Sequence, residues 1–313
     1  MSYNVSALST YVDERSKELI TNAVAGANTF ASGLIRIEDG IKGGGSRRLH
    51  FFDTSLEYQM GACVTTPSGS TTFTQKDIST TIFSIYDEQC PEDFYSKWYS
   101  QFLPAGSMIE YTPEEVILTN ISDQAKRDVA LTAWQGKYGT ASNDMAQQIT
   151  GWLKLLVNTS YSGSTFKPAG SYTGYASTNA ISIVDDLMSQ VPANLVGKEL
   201  TLSMPYSAYG TLKIALRDAQ AIAFNFTTDS TDNFKMPGYD NLTVKRDDGL
   251  SGAKAIVLTH AGNLILGCDL MTDADSVEAG YKDNTKKKTF FSCGITLGCE
   301  VAFPANVGIY TYN

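Results

Sequence analysis

The sequence predicts an α+β fold, and three observations carry that prediction. A helical pattern runs over 113–134, PEEVILTNISDQAKRDVALTAW, longer than most helices of a domain this size. Near the C-terminus, Phe291, Cys293, Ile295, Leu297, Cys299, Val301 and Phe303 fall on every second residue. Ser292, Gly294, Thr296, Gly298, Glu300 and Ala302 lie between them, the period of a half-buried strand. Between these two segments, helical and strand patterns alternate over about 181–267.

Residues 11–25, YVDERSKELITNAVA, can form a helix charged at its start. The next stretch, GANTFASGLIRIEDGIKGGGSRR, is broken at Gly43, Gly44 and Gly45. It reads as an N-terminal arm ending in a hinge. No GK[ST] follows the glycines, so they are not a phosphate-binding loop. Over 47–90, short β-type runs alternate with turn residues, which predicts an extended excursion of two or three strands with Pro67 to Ser70 at its tip.

Cys90-Pro91-Glu92-Asp93 opens a short helix, with Pro at the first helical position and acids in the first turn. Phe94, Trp98 and Phe102 then form one aromatic stripe at helical spacing. Such a stripe packs into a core or, less often, holds a ligand.

The long helix begins with a capping box: Thr112 as N-cap, Pro113 at the first position and Glu115 reaching back. Leu118, Ile121, Ala125 and Val129 keep one apolar face, and the helix spans about 33 Å. ALTAWQGKYGT closes it. Gly136 suits the left-handed position just past the end. Trp134, in the last turn, can plug the helix against a sheet, meet a neighbouring subunit, or hold a ligand.

A second helix is expected around 144–157, then a Ser/Thr/Gly/Tyr-rich loop over 158–179. Helices over 181–191 and 205–220 and strands over 199–204, 242–246, 254–259 and 263–267 follow. Pro304 ends the C-terminal strand, and Val307 to Tyr312 can return as its hairpin partner.

Chemistry is sparse. The 313 residues carry two histidines, His50 and His260, and five scattered cysteines with no C-x-x-C. Most zinc sites and most Ser-His or Cys-His catalysis drop out, and the cysteines suit a reduced compartment as buried thiols. Asp269, Asp273, Asp275 and Glu278 lack the EF-hand spacing. Asp185-Asp186 and Asp247-Asp248 read as ordinary helix-start and turn acids. No catalytic residue, cofactor or metal site is expected, and the chain is read as no enzyme.

A net charge of −9 disfavours wrapping nucleic acid. No segment has the ~18 apolar residues of a membrane helix. The first residues, MSYNVSALSTYVDERSKEL, lack a signal-peptide pattern, so the N-x-S/T matches at Asn4, Asn120, Asn158, Asn225 and Asn241 are not read as glycosylation sites. A long arm, a long excursion and a strut helix bury little surface within one monomer. They make sense if neighbouring copies supply the partner surface.

Three stretches resemble the major capsid proteins of tailed bacteriophages, the Hong Kong 97-type fold family that encapsulins share. ALTAWQGKYG looks like the end of that family's spine helix, and LTLSMPYSAYGTLKIAL like its axial-domain strand and helix. LTHAGNLILGCDLMTDADSVEAGY with TFFSCGITLGCEVAFPANVGIYT looks like its closing segment. The resemblance implies an N-terminal arm over 1–45 and an extended loop over 46–90. It places a peripheral domain over 91–180 and 271–313, and an axial domain over 181–270. It implies hexamers and pentamers in an icosahedral shell around double-stranded DNA, with portal, scaffolding and decoration proteins as partners, and assembly in the host bacterial cytoplasm. Trp134, Gly136, Thr112, Pro113, Glu115, Phe94, Trp98 and Phe102 are the candidate structural or assembly residues. Some relatives crosslink Lys to Asn. Lys42 and Lys76 lie near the loop, but no acid catalyst or acceptor is identified, so no crosslink is expected. An encapsulin-like cellular shell and a tail-tube or other virion subunit are the alternative readings.

Overall fold

The computed structural model describes residues 28–31, 33–42, 44–55, 70–89, 113–137, 148–158, 161, 163–219, 233–269, 277–281 and 289–312. The expected helix over 11–25, the hairpin tip, the helix opened by Pro91 and the Phe94/Trp98/Phe102 stripe lie outside them, as does Thr112.

Among the described residues the elements are α1 (Asn28–Ala31), β1 (Ile35–Glu38), β2 (Ser46–Ser55), β3 (Ser70–Ser79), β4 (Thr81–Gln89) and α2 (Pro113–Gln135). Next come α3 (Trp152–Asn158), α4 (Ala180–Ser189), β5 (Leu200–Met204), α5 (Tyr206–Asp218), β6 (Asn233–Lys235) and β7 (Leu242–Arg246). The chain closes with β8 (Ala255–His260), β9 (Leu264–Cys268), β10 (Val277–Tyr281), β11 (Thr289–Val301) and β12 (Gly308–Thr311). The fold is mixed α+β.

The first sheet is organised around β11. β4 pairs along one side of β11, while β9 and then β10 take the other. Leu297 accordingly faces both Thr81 and Cys268, and Cys293 faces both Ile85 and Val277. β1 adds to β9 in parallel. The second sheet has the order β12-β8-β5-β7-β6, with β5 and β7 parallel and its other pairs antiparallel. β2 and β3 form a separate two-stranded hairpin.

Among the described residues three cores follow from these faces. The first joins Val129, Ala133 and Trp134 of α2, Trp152 and Leu156 of α3, and Ile295, Leu297 and Val301 of β11. The second packs Ile183 and Leu187 of α4 and Leu212 and Leu216 of α5 on Leu202, Val244 and Leu258. The third, small one lies under the hairpin root: Ile41, Leu49, Phe51, Ile78, Ile265 and Ala302.

Four expectations change. The helix expected around 144–157 is interrupted, since Ile149 to Gly151 are not helical and α3 starts at Trp152. The cause is a close crossing of two chain segments. Gly151 N–H donates to Gly136 O at 3.0 Å, and a Cβ on Gly151 would sit 2.5 Å from Gly136 N.

The strict alternation of the last strand fails at its end. Gly298, Glu300 and Val301 are all buried, because the hairpin root covers the face opposite the first core. Residues 46–90 are not one excursion either. Only β2 and β3 pair as a separate hairpin among the described strands, while β4 pairs with β11 in the first sheet.

The C-terminal residues do not form a hairpin with β11. β12 pairs with β8 in the second sheet. Asn263 redirects the chain: its Oδ1 accepts from Phe303 N–H at 2.8 Å and its Nδ2 donates to Phe303 O at 3.1 Å. Pro304 to Asn306 then make a 3-10 turn. Phe166 receives the emerging strand, donating to Val307 O and accepting from Ile309 N–H. The chain therefore crosses between sheets inside the expected 181–270 and 271–313 segments, from β8 in the second sheet to β9 in the first and from β11 in the first to β12 in the second.

Candidate functional site

The end of α2 is a tightly packed junction. Trp134 is fully buried and stands edge-on to Trp152, with ring centroids 5.1 Å apart. Trp152 Nε1 is shared between Ile265 O and Glu300 O, at 3.2 Å each, which ties α3 to the first sheet. Gln135 Nε2 donates to Gly249 O and Ser251 O. Gly249 lies so close that a Cβ there would be 2.4 Å from Trp134 Cδ1.

Gly136 does not adopt the left-handed conformation expected of it; it is absent from the described glycines with positive φ. Its N–H continues the helix by donating to Thr132 O at 2.9 Å. A glycine is required there for a different reason, because a Cβ would meet Ile149 O at 2.5 Å. Pro113 is the first residue of α2 and Glu115 lies in its first turn. The capping role expected of Thr112 and the Glu115 side chain lies outside the described residues.

Asp247 is no ordinary turn acid. It is fully buried, and its Oδ1 accepts from Thr29 Oγ1 and, at 3.0 Å, from Gly249 N–H. Burial pushes its pKa up, opposed by the Lys245 charge, the Thr29 and Gly249 hydrogen bonds and the Trp134 indole N–H. That indole N–H makes no hydrogen bond of ordinary geometry. Lys245 is itself buried, and its Nζ lies 3.5 Å from Thr29 O. The cluster pins the N-terminal segment against the second sheet and α2. No sequence pattern marks it, since Thr29 and Asp247 are 218 residues apart.

The hairpin root is a second polar cluster. Lys76 Nζ donates to Val301 O at 2.6 Å and stands 4.1 Å from the centre of the Tyr161 ring. Tyr161 Oη donates to Glu300 Oε1 at 2.9 Å, and the same oxygen accepts from Val301 N–H. Desolvation lowers the Lys76 pKa, with Glu300 opposing. Burial first, and then Glu300, raise the Tyr161 pKa well above the usual phenol range. Gly298 completes the fit, since a Cβ there would be 2.2 Å from Ser79 O.

Beyond the root, strand alternation sets two faces. One turns Leu49, Phe51 and Ile78 toward the sheet, with Phe51 edge-on to Phe303 at 5.4 Å. The other face turns away and carries the rungs Arg48–Asp77, His50–Gln75 and Phe52–Phe73. Arg48 grips both Asp77 oxygens, at 2.8 and 3.2 Å. Phe52 and Phe73 pair edge-to-face at 4.1 Å while 58% and 63% exposed. Sequence reasoning marked this segment as extended but singled out neither phenylalanine. Their direct opposition in register, the missing signal, depends on how the two strands pair.

Cys268 and Cys299 are free thiols whose pKa values burial pushes up, to about 11 for Cys268. Among the described residues no group of His, Cys, Asp and Glu could hold a metal ion, and no helix is long and apolar enough to cross a membrane.

Among solved structures, chains of phage capsid particles have a similar fold. A chain of the satellite phage P4 procapsid with its size determination (Sid) protein matches over 95% of this chain and 98% of its own, at TM-score 0.55 and 12% identity. The capsid of Myoviridae phage XM1 matches over 91% and 92%, at TM-score 0.52 and 12% identity. A virus-like particle from Pyrococcus furiosus matches over 95% and 98%, at TM-score 0.50 and 9% identity. What these identities establish in common is the fold. No family model matches the chain, and no curated protein matches its sequence.

Proposed function

We propose that the chain is the major capsid protein of a tailed phage, assembling into the icosahedral shell that encloses double-stranded DNA. The observation that carries this reading is the hairpin. Among the described strands β2 and β3 pair only with each other, and the face opposite Leu49, Phe51 and Ile78 holds two phenylalanines, Phe52 and Phe73, 58% and 63% exposed. An apolar pair in that position is covered when a neighbouring copy is present. The whole-chain likeness to phage capsid structures supports the same reading. The net charge of −9 suits a container that does not cling to its contents.

On this reading the protein acts by assembly into hexamers and pentamers, without catalysis, in the host cytoplasm and then in the virion. Portal, scaffolding and decoration proteins are its expected partners. The first sheet with α2 and α3 forms the Hong Kong 97-type peripheral domain, and α2 is its spine. The second sheet with α4 and α5 forms the axial domain, β2 and β3 the extended loop, and the residues before β1 the arm.

An encapsulin-like cellular shell is the second reading, favoured by the match to the Pyrococcus furiosus virus-like particle. Electron microscopy of the purified protein tests both: closed shells or ring-shaped capsomers are expected, and a monomer that persists at high concentration overturns them. The contents of particles from the native source separate the two, since DNA supports the capsid and a cargo protein the encapsulin.

A further inference from the structure

We infer that the outer edge of β12 is a docking groove for an extended, acidic peptide segment of a partner protein. The shell reading makes no use of this groove, and the inference does not depend on it.

Antiparallel pairing turns the backbone groups of successive residues alternately toward and away from the partner strand. Tyr312 N–H donates to Lys254 O on the β8 side at 3.0 Å, so the N–H groups of Ile309 and Thr311 face the other way. Phe166 takes the first of these. It bridges Gly308 in parallel, donating to Val307 O at 3.0 Å and accepting from Ile309 N–H at 2.9 Å. Two residues on, the same pattern needs an N–H at position 168, and Pro168 has none. The pairing stops there. Among the described residues nothing donates to Ile309 O or accepts from Thr311 N–H.

Where the chain leaves the edge there is a cavity of about 370 Å³, within the range of about 300–1,000 Å³ usual for ligand pockets. The edge from Ile309 to Thr311 lines it, with Leu156 and Val157 at the end of α3 and the loop from Gly170 to Thr173. Tyr172 is already fixed in place. Its Oη donates to Asp186 Oδ2 at 2.5 Å, and its ring stands edge-on to Tyr310 at 6.3 Å. Val157 is 37% exposed and awaits an apolar cover.

The outward C=O of Ile309 and the outward N–H of Thr311 complement one peptide residue lying opposite Tyr310, as Phe166 lies opposite Gly308. That residue donates its N–H to Ile309 O and accepts from Thr311 N–H through its C=O. An apolar side chain of the same segment covers Leu156 and Val157. Charge selects the sign of the segment. Among the described lining residues Lys167 alone is charged, and it has no ion pair. The neighbouring Asp186 carboxylate is engaged by Tyr172 and Gly170 N–H. An acidic residue is therefore attracted to the groove and a basic one is not.

The test measures fluorescence anisotropy with the full chain. The probe is a short labelled peptide of alternating valine and glutamate, and its valine–lysine counterpart is the control. The glutamate peptide should bind at least about tenfold more tightly than the lysine peptide. Thr311→Pro removes an N–H that the β12–β8 ladder does not use. It should weaken binding about threefold to tenfold, the worth of one hydrogen bond, and leave the melting temperature unchanged. Lys167→Glu, a change at an exposed position, should reverse the preference between the two peptides. Failure of the glutamate peptide to bind, equal binding of both peptides, or undiminished binding by Thr311→Pro overturns the groove. Binding by free subunits that is lost in assembled particles assigns the groove to a neighbouring copy and overturns a separate partner.

Discussion

At the residue scale the junction around Trp134 is the least tolerant of change. Trp134→Ala should lower the unfolding free energy of the unassembled subunit by about 3–5 kcal/mol in urea titration, the usual cost of emptying a buried aromatic site. Gly249→Ala adds a single methyl, yet its Cβ would overlap the Trp134 ring. It should cost about 1–3 kcal/mol by overpacking. Asp247 gives a pH signature. Burial raises its folded pKa above the unfolded value, so its contribution to stability is complete below the ordinary carboxylate range and is lost as pH rises through the raised value. Wild type should therefore lose stability relative to Asp247→Asn as pH rises above the ordinary carboxylate range. Chemical denaturation at several pH values measures this, and an unchanged difference would refute it. No sequence pattern marks these roles, because Trp134 meets Trp152 of α3 and Gly249, and Asp247 meets Thr29 of α1, all far from them in the chain except Gly249 beside Asp247.

At the element scale, the long helix and two strands of the second sheet were legible from their local residue patterns. The helix expected over 113–134 is observed over 113–135, and the strands expected over 242–246 and 254–259 are observed within a residue. Prediction failed where an element has two partners. β11 loses its period of two because the hairpin root covers its second face. The root itself depends on Lys76, whose partner Val301 is 225 residues away. Lys76→Met keeps the apolar stem and removes the amine. It should cost about 1–2 kcal/mol, and hydrogen exchange at the β2 and β3 amides should speed up while that of the second sheet stays unchanged. Equal exchange in both variants would mean that the apolar root alone holds the hairpin.

At the scale of the whole molecule, the C-terminal crossing makes the two sheets one structure. Val307 and Ile309 belong to the first core, and Tyr310 to the second. Deleting residues 307–313 removes three side chains each worth about 1.5–3 kcal/mol when buried. Their sum is comparable to the total stability of a domain. The truncated chain should be insoluble or lack a cooperative thermal transition, and a sharp transition near the wild-type temperature would count against the coupling.

The sequence by itself determined the α+β class, the long helix, several of the strands and the small number of histidines and cysteines. These follow from local periodicity and from which residue types are present. Only the tertiary structure decided which sheet receives β12, why Gly136 must be glycine, and that Asp247 and Lys76 are buried anchors. It alone set Phe52 opposite Phe73 on an outward face. Each of those outcomes depends on contacts between segments far apart in the chain, where packing and hydrogen-bond satisfaction choose among partners that local patterns leave equivalent.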